Sequence, residues 1–153
     1  MKTPKELFVI VLDNQDYPVG IKRCPVISYD HKDYSGKIQV NDIYSADEAD
    51  VETSEGTKHV TLGKDASDEL EIALRLALHA LELKLIFLHL DAIGAYQSMV
   101  LADTAEKRTD TDARVMNMYA RLQNEYENTK QCAAALFTDV CTLQREIRES
   151  EAH

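Results

Sequence analysis

Between Leu70 and Leu101 apolar residues recur at alternating steps of four and three, along two separate rows. Leu74, Leu78, Leu81, Leu85, Leu88, Ala92, Ala95 and Met99 make the first row, a slowly drifting stripe on one side of a helix. Leu76, Ala80, Leu83, Phe87, Leu90 and Gly94 keep the same rhythm two residues out of step, which is about 200° around the helix. A narrow polar band of Glu71, Arg75, His79, Glu82 and His89 separates them, with Lys84 and Asp91 on the other flank. Leucine, alanine and long polar side chains favour helix over strand. The charged positions exclude a membrane span, since each ionised side chain costs roughly 2.5 to 3.5 kcal/mol near a bilayer centre. The sequence therefore predicts one long helix that must be covered by protein on two sides.

Before it the pattern is that of strands. Leu7 to Leu12 is a continuous apolar run bounded by Asp13, Asn14 and Gln15, as expected for a strand buried on both faces. Tyr17, Pro18 and Gly20 are expected to form a turn. Val19 to Tyr29 reads as a second strand, with Pro25 marking an edge or a bulge. A turn-rich connection, Asp30 to Gly36, leads to a third, half-exposed strand from Lys37 to Tyr44, with Ile38 and Val40 on its apolar face. Ser45 to Gly56 is dense in carboxylates, Asp47, Glu48, Asp50, Glu52 and Glu55, and is expected to be an exposed, mobile loop. Lys58 to Leu62 closes the sheet and Gly63 ends it. Asp65, Ser67 and Asp68 supply caps for the long helix.

Past Leu101 the apolar phase is lost, and Thr109-Asp110-Thr111-Asp112 is better cap than helix interior. A break is expected between Thr104 and Asp112. A second helix follows, with Val115, Tyr119, Leu122, Tyr126, Thr129, Ala133, Leu136, Val140, Leu143 and Ile147 in one row. Two helices with a 3.5-residue period predict an antiparallel hairpin. The fold class is thus α+β, a small N-terminal antiparallel β-sheet followed by a long antiparallel two-helix hairpin. Residues 1–63 form the sheet module and 64–150 the hairpin, together one composite domain. Helices of about 35 residues are about 50 Å long, whereas a compact domain of this length is roughly 40 Å across. The sheet is too short to wrap them, so the second row, Leu76, Leu83, Phe87 and Leu90, is expected to be shared between the sheet and another copy of the chain, as a homodimer interface. A row left bare to water in a lone subunit counts against that arrangement.

Composition changes this picture little. The 153 residues are 44% hydrophobic and 29% charged, within the range of globular proteins. A formal net charge of -10 argues against direct binding to nucleic acid or anionic membranes and suits a partner with a basic surface. Cys24, Cys132 and Cys141 are odd in number and lack metal-type spacing, as expected of reduced structural thiols. Met1 to Glu6 is charged and the apolar run after it is short, so no signal peptide and a cytosolic address are expected.

Chemistry is sparse. His79, Glu82 and His89 share a helix face, but the second helix offers no matching Glu and His pair of the kind that holds metals in bundles. No Ser, Cys or His arrangement makes a nucleophile. No enzyme, cofactor or metal is expected. Two weaker constellations remain. The acidic run Asp47, Glu48, Asp50, Glu52 and Glu55 can imitate a run of phosphates and occupy the basic groove of a nucleic-acid-binding protein. Arg108 and Arg114 at the start of the second helix, helped by Arg23, offer an alternative anion site for a nucleotide or other phosphate ligand at an inter-subunit pocket. The sequence thus points to a non-enzymatic, oligomeric binding protein, an adaptor or inhibitor, with the small-ligand binder as its competitor.

Overall fold

The structure, a computed structural model, describes residues 3–32, 46–102 and 104–152. The strand expected from Lys37 to Tyr44 lies outside the described residues. Strand β1, Glu6–Leu12, buries side chains on both faces: Leu7 and Val9 enter one core, Phe8 and Ile10 the other. The turn after it is made by Asp13, whose Oδ1 accepts the Gln15 and Tyr17 amides, both at 2.9 Å, with Asp16 at φ 63°. Tyr17, Pro18 and Gly20, expected as the turn, instead lead into and begin strand β2, Pro18–Asp30.

β2 organises the sheet. Its first half pairs with β1 from Pro18 to Pro25, and its second half, Val26 to Asp30, pairs with strand β3, Glu48–Thr53. Pro25 sits where the pairing passes from one neighbour to the other, so its missing amide is tolerated in an interior strand. The register shifts between Val26 and Ser28, an irregularity next to Pro25, but the edge position is not found. β3 corrects the expected loop. Ala49 and Val51 are buried while Glu48, Asp50 and Glu52 point outward, the two-residue alternation of a half-buried strand. Strand β4, Gly56–Thr61, returns against it across Ser54 and Glu55, with Gly56 at φ 110°, a conformation that favours glycine. Strand β5, Ala66–Ser67, adds to the free side of β1, which extends the sheet past Gly63. The order is β4-β3-β2-β1-β5, antiparallel throughout. Leu7, Val9, Cys24, Ala49, Val51, Val60 and Ala66 form a core to which all five strands contribute.

Helix α1, Leu70–Val100, follows at once. Its N-cap is Glu69, not one of the expected caps; Ser67 Oγ accepts the Glu69 amide at 3.1 Å and Asp65 Oδ2 accepts that of Thr61 at 3.2 Å. Helix α2, Ala105–Glu151, begins earlier than expected. Thr104 caps it, accepting the Lys107 amide at 3.2 Å, and Thr109 and Thr111 donate back to the carbonyls of Ala105 and Lys107. Those back-bonds let the Thr-Asp run stay helical, and its aspartates lie near the positive end of the helix dipole.

The helices form the antiparallel hairpin, with every residue of the first row at least half-buried. The second core joins Phe8, Ile10 and Ile21 to Ala73, Ala77 and Leu81 of α1 and to Cys132, Leu136, Val140 and Leu143 of α2. Two alanines on α1 let the sheet come close at its N-terminal end. Along α2 the close approach is at Gly20: a Cβ there would lie 2.7 Å from Asp139 Oδ2, which accepts the Ile21 amide at 2.9 Å. The sheet thus grips one end of the hairpin, and beyond it the side of α1 away from α2 has no cover among the described residues.

Candidate interaction surface

That end decides the fate of the second row. Leu76 is half-buried and packs on the shared core, whereas Leu83, Phe87 and Leu90 are exposed, Phe87 at 64% and Leu90 at 58%. The expectation that the sheet shelters part of this row holds for Leu76 only, because the sheet stops at the Ala73 and Ala77 end. In a single subunit the remainder is bare among the described residues, so the arrangement expected from the sequence, one sheltered row shared between the sheet and a second copy, does not hold. The bare area is also larger than the row. Ile86, Ile93, Tyr96, Val100 and Leu101 are exposed beside it, Leu101 at 81%. At 100° per residue, Leu83, Phe87, Leu90, Gly94, Gln97 and Leu101 fall within about 80° of arc on the side of α1 away from α2. With about 200 Å² for a large side chain fully open to water, the six exposed apolar residues on this side, Leu83, Ile86, Phe87, Leu90, Ile93 and the C-cap Leu101, present on the order of 700 Å². A typical monomer's largest apolar patch is about 300–600 Å².

Polar contacts orient the two flanks of the hairpin. On one, Tyr17 reaches from the β1–β2 turn to donate its hydroxyl to Glu125 Oε2 at 2.5 Å, while Lys84 Nζ stands 4.3 Å from the centre of the Tyr17 ring. The Glu125 hydrogen bond, then burial and the carboxylate's charge, push the Tyr17 phenol up to about 12. Glu125 is 7% exposed and its Oε1 has no partner. On the opposite flank His89 Nδ1 bonds the Leu85 carbonyl at 2.8 Å and its Nε2 meets the Tyr126 hydroxyl at 2.7 Å. A carbonyl only accepts, so Nδ1 carries the proton and Tyr126 donates to Nε2. Met116, Tyr119 and Phe137 of α2 are also exposed.

The acidic residues are held on the sheet, not in a loop. Asp47 lies just before β3; burial opposes its charge, but the Lys32 amide, the Tyr29 hydroxyl and His31 outweigh that and hold its carboxyl below the usual range. Asp50 is lowered by hydrogen bonds from His59, at 2.8 Å, and Ser28, and His59 is raised in return by Asp50 and Glu48. Lys32 pairs with Asp30 at 3.0 Å and with Glu48 at 3.5 Å. Glu52 is exposed on β3 and Glu55 in the β3–β4 turn. Much of the carboxylate charge is therefore offset locally, and what remains is displayed on a rigid strand.

Within one subunit Arg23 is not brought to Arg108 and Arg114, the other arginines of the alternative site expected between subunits. Arg23, on β2, pairs with Glu6 and lies by Asp139, Thr142 and Glu146 of α2. Arg108 is in the first turn of α2, its Nε 3.4 Å from the Ala102 carbonyl, and Arg114 is exposed two turns further on. Some 34 residues of helix, roughly 50 Å, separate Arg108 from the Arg23 end of the subunit. His79 and Glu82 face each other at 3.8 Å in the open, while His89 is engaged by Tyr126. Among the described residues no three His, Cys, Asp or Glu side chains gather as a metal ion needs, and no helix is long and apolar enough to cross a membrane. Burial pushes the Cys24 and Cys132 thiols up, which makes them poor nucleophiles. The recess of about 230 Å³ between the β1–β2 turn and α2, lined by Asp13, Tyr17, Asn128 and Cys132, is open to solvent. No family model matches the chain, and no curated protein or solved structure is significantly similar to it.

Proposed function

We propose that this protein is a non-enzymatic, self-associating binding protein, an adaptor or inhibitor that works in the cytosol by covering a partner's surface. The observation that carries the reading is the bare apolar strip of α1. Leaving about 700 Å² of leucine, isoleucine and phenylalanine surface in water costs solubility and hydrophobic free energy, on the order of 25 cal/mol per Å². Such a strip is ordinary for a protein that shares it with another molecule. The strip does not need the sheet for its shape, so the row expected to be shared between sheet and second copy becomes an interface between copies along most of its length. Three thiols without a disulfide partner suit a reducing compartment.

In this reading self-association supplies a scaffold, and the outward carboxylates Asp50, Glu52 and Glu55 are what it presents to a basic protein surface. The first half is tested by thermal unfolding at several protein concentrations. Because association favours the folded state by mass action, the midpoint of the wild type rises with concentration, while that of a Phe87→Asp, Leu90→Asp variant does not. A concentration-independent wild-type midpoint refutes self-association. The second half is tested by capture from a lysate with wild type and with a variant neutralised at Asp50, Glu52 and Glu55; equal capture by both removes the carboxylates from the interface.

A further inference from the structure

We infer that the mate of the strip is a second copy of this chain laid antiparallel across α1, the two helices being closest where Leu90 of one meets Gly94 of the other. The inference rests on the reading of α1 as the self-association face and assigns its partner and its register.

Gly94 is the first observation. It lies in the interior of α1, where glycine is the poorest helix former after proline. Its backbone is not in the left-handed region, and a Cβ built on it meets nothing within 4 Å. Nothing inside the subunit requires it, and it sits in the middle of the bare strip. Close approach of another helix is a reason for a missing side chain there.

The register is the second. Leu83, Phe87, Leu90, Gly94, Gln97 and Leu101 continue the alternation of four and three. Ala92 is the midpoint of Leu90 and Gly94, of Phe87 and Gln97, and of Leu83 and Leu101. A two-fold axis through that point therefore sets the largest gap in each strip against a leucine of the other, twice, and closes the interface on itself. A parallel pair would stack Gly94 on Gly94 and leave a hole. The antiparallel pair also opposes the helix dipoles, which a parallel pair aligns. Area is the third observation: with Tyr96 and Val100 turned away from the seam, about 700 Å² of apolar surface on each copy lies within reach of the other, near the roughly 800 Å² per partner of a stable interface.

Sedimentation of the full chain over a concentration series tests this, with wild type, Gly94→Ala, Gly94→Leu, and the double variant Leu90→Ala, Gly94→Leu. The wild type is expected to be a dimer. Gly94→Ala weakens it although the helix itself gains from the change, and Gly94→Leu raises Kd by at least about tenfold, with helical circular dichroism intact. The double variant regains affinity because the large and small residues have merely changed places across the axis. A wild type that is monomeric throughout overturns the inference and the self-association reading together. A wild-type dimer that Gly94→Leu leaves unchanged or tightens overturns the crossing at Gly94 and leaves self-association standing.

Discussion

Tyr17→Phe removes one oxygen and should cost the protein several times what a surface hydrogen bond is worth. The hydroxyl is the partner of Glu125 Oε2, and Oε1 has none, so the variant leaves a carboxylate that is 7% exposed without a donor. Loss of a hydrogen bond to a charged group costs about 1.5–3 kcal/mol, and stranding a buried charge costs about 3–5 kcal/mol when nothing relaxes. Lys84, already over the Tyr17 ring, can swing toward Glu125 and offset part of that cost. The expected loss is therefore about 2–3 kcal/mol. Urea unfolding followed by circular dichroism, at one fixed protein concentration, measures it. Adding Glu125→Leu to Tyr17→Phe should return most of the loss, since the charge is then gone. A Tyr17→Phe variant within about 0.5 kcal/mol of wild type, the range of ordinary surface changes, would falsify the view that this pair ties the sheet to the hairpin.

Two further outcomes follow from the same junction. Gly20→Ala drives a Cβ to 2.7 Å from Asp139 Oδ2, and moving that oxygen breaks its bond to the Ile21 amide; the cost is expected at about 1–3 kcal/mol by denaturant unfolding, and a neutral effect would mean that α2 does not seat on β2 there. At high pH the sign follows from Tyr17. Its folded value, about 12, lies above the ordinary 10.0, so the folded state favours the neutral phenol, and that contribution is whole below pH 10 and lost as pH rises toward 12. Two units equal about 2.7 kcal/mol, and screening at a half-buried ring reduces this to about 1 kcal/mol. Wild type should lose that increment between those values relative to Tyr17→Phe, and parallel stability profiles would refute it.

The helices and the first two strands were legible because burial there is written directly into residue spacing. Leu74 through Met99 keep one face, and Leu7 through Leu12 are apolar without interruption. β3 reads as a loop in sequence because its carboxylates outweigh its alternation; Glu48-Ala49-Asp50-Val51-Glu52 is as periodic as any strand, with two small apolar residues carrying the buried side. The start of α2 was misplaced because threonine and aspartate favour caps on average, and the back-bonds of Thr109 and Thr111 that keep them helical depend on a turn already formed. The first turn went to Pro18 and Gly20 when Asp13 makes it.

The candidate surface was half legible. Leu83, Phe87 and Leu90 were found by their spacing, but their separation from Leu76 depends on where the sheet docks, which the spacing of a single helix does not encode. Gln97 and Leu101 extend the same row, and Ile86 and Ile93 flank it, a signal present in the chain but hidden by the richer first row. Within one subunit the length of α2 places Arg23 at the other end from Arg108 and Arg114, so the three meet only across two copies, which the spacing along one chain does not encode.

The most direct measurement is the sedimentation-equilibrium mass of the wild-type chain in dilute buffer. The account predicts a species of twice 17.3 kDa that dissociates on dilution and when Phe87 and Leu90 are made acidic. A single 17.3 kDa species at every concentration, with the strip of α1 open to water and the protein still soluble, would contradict it.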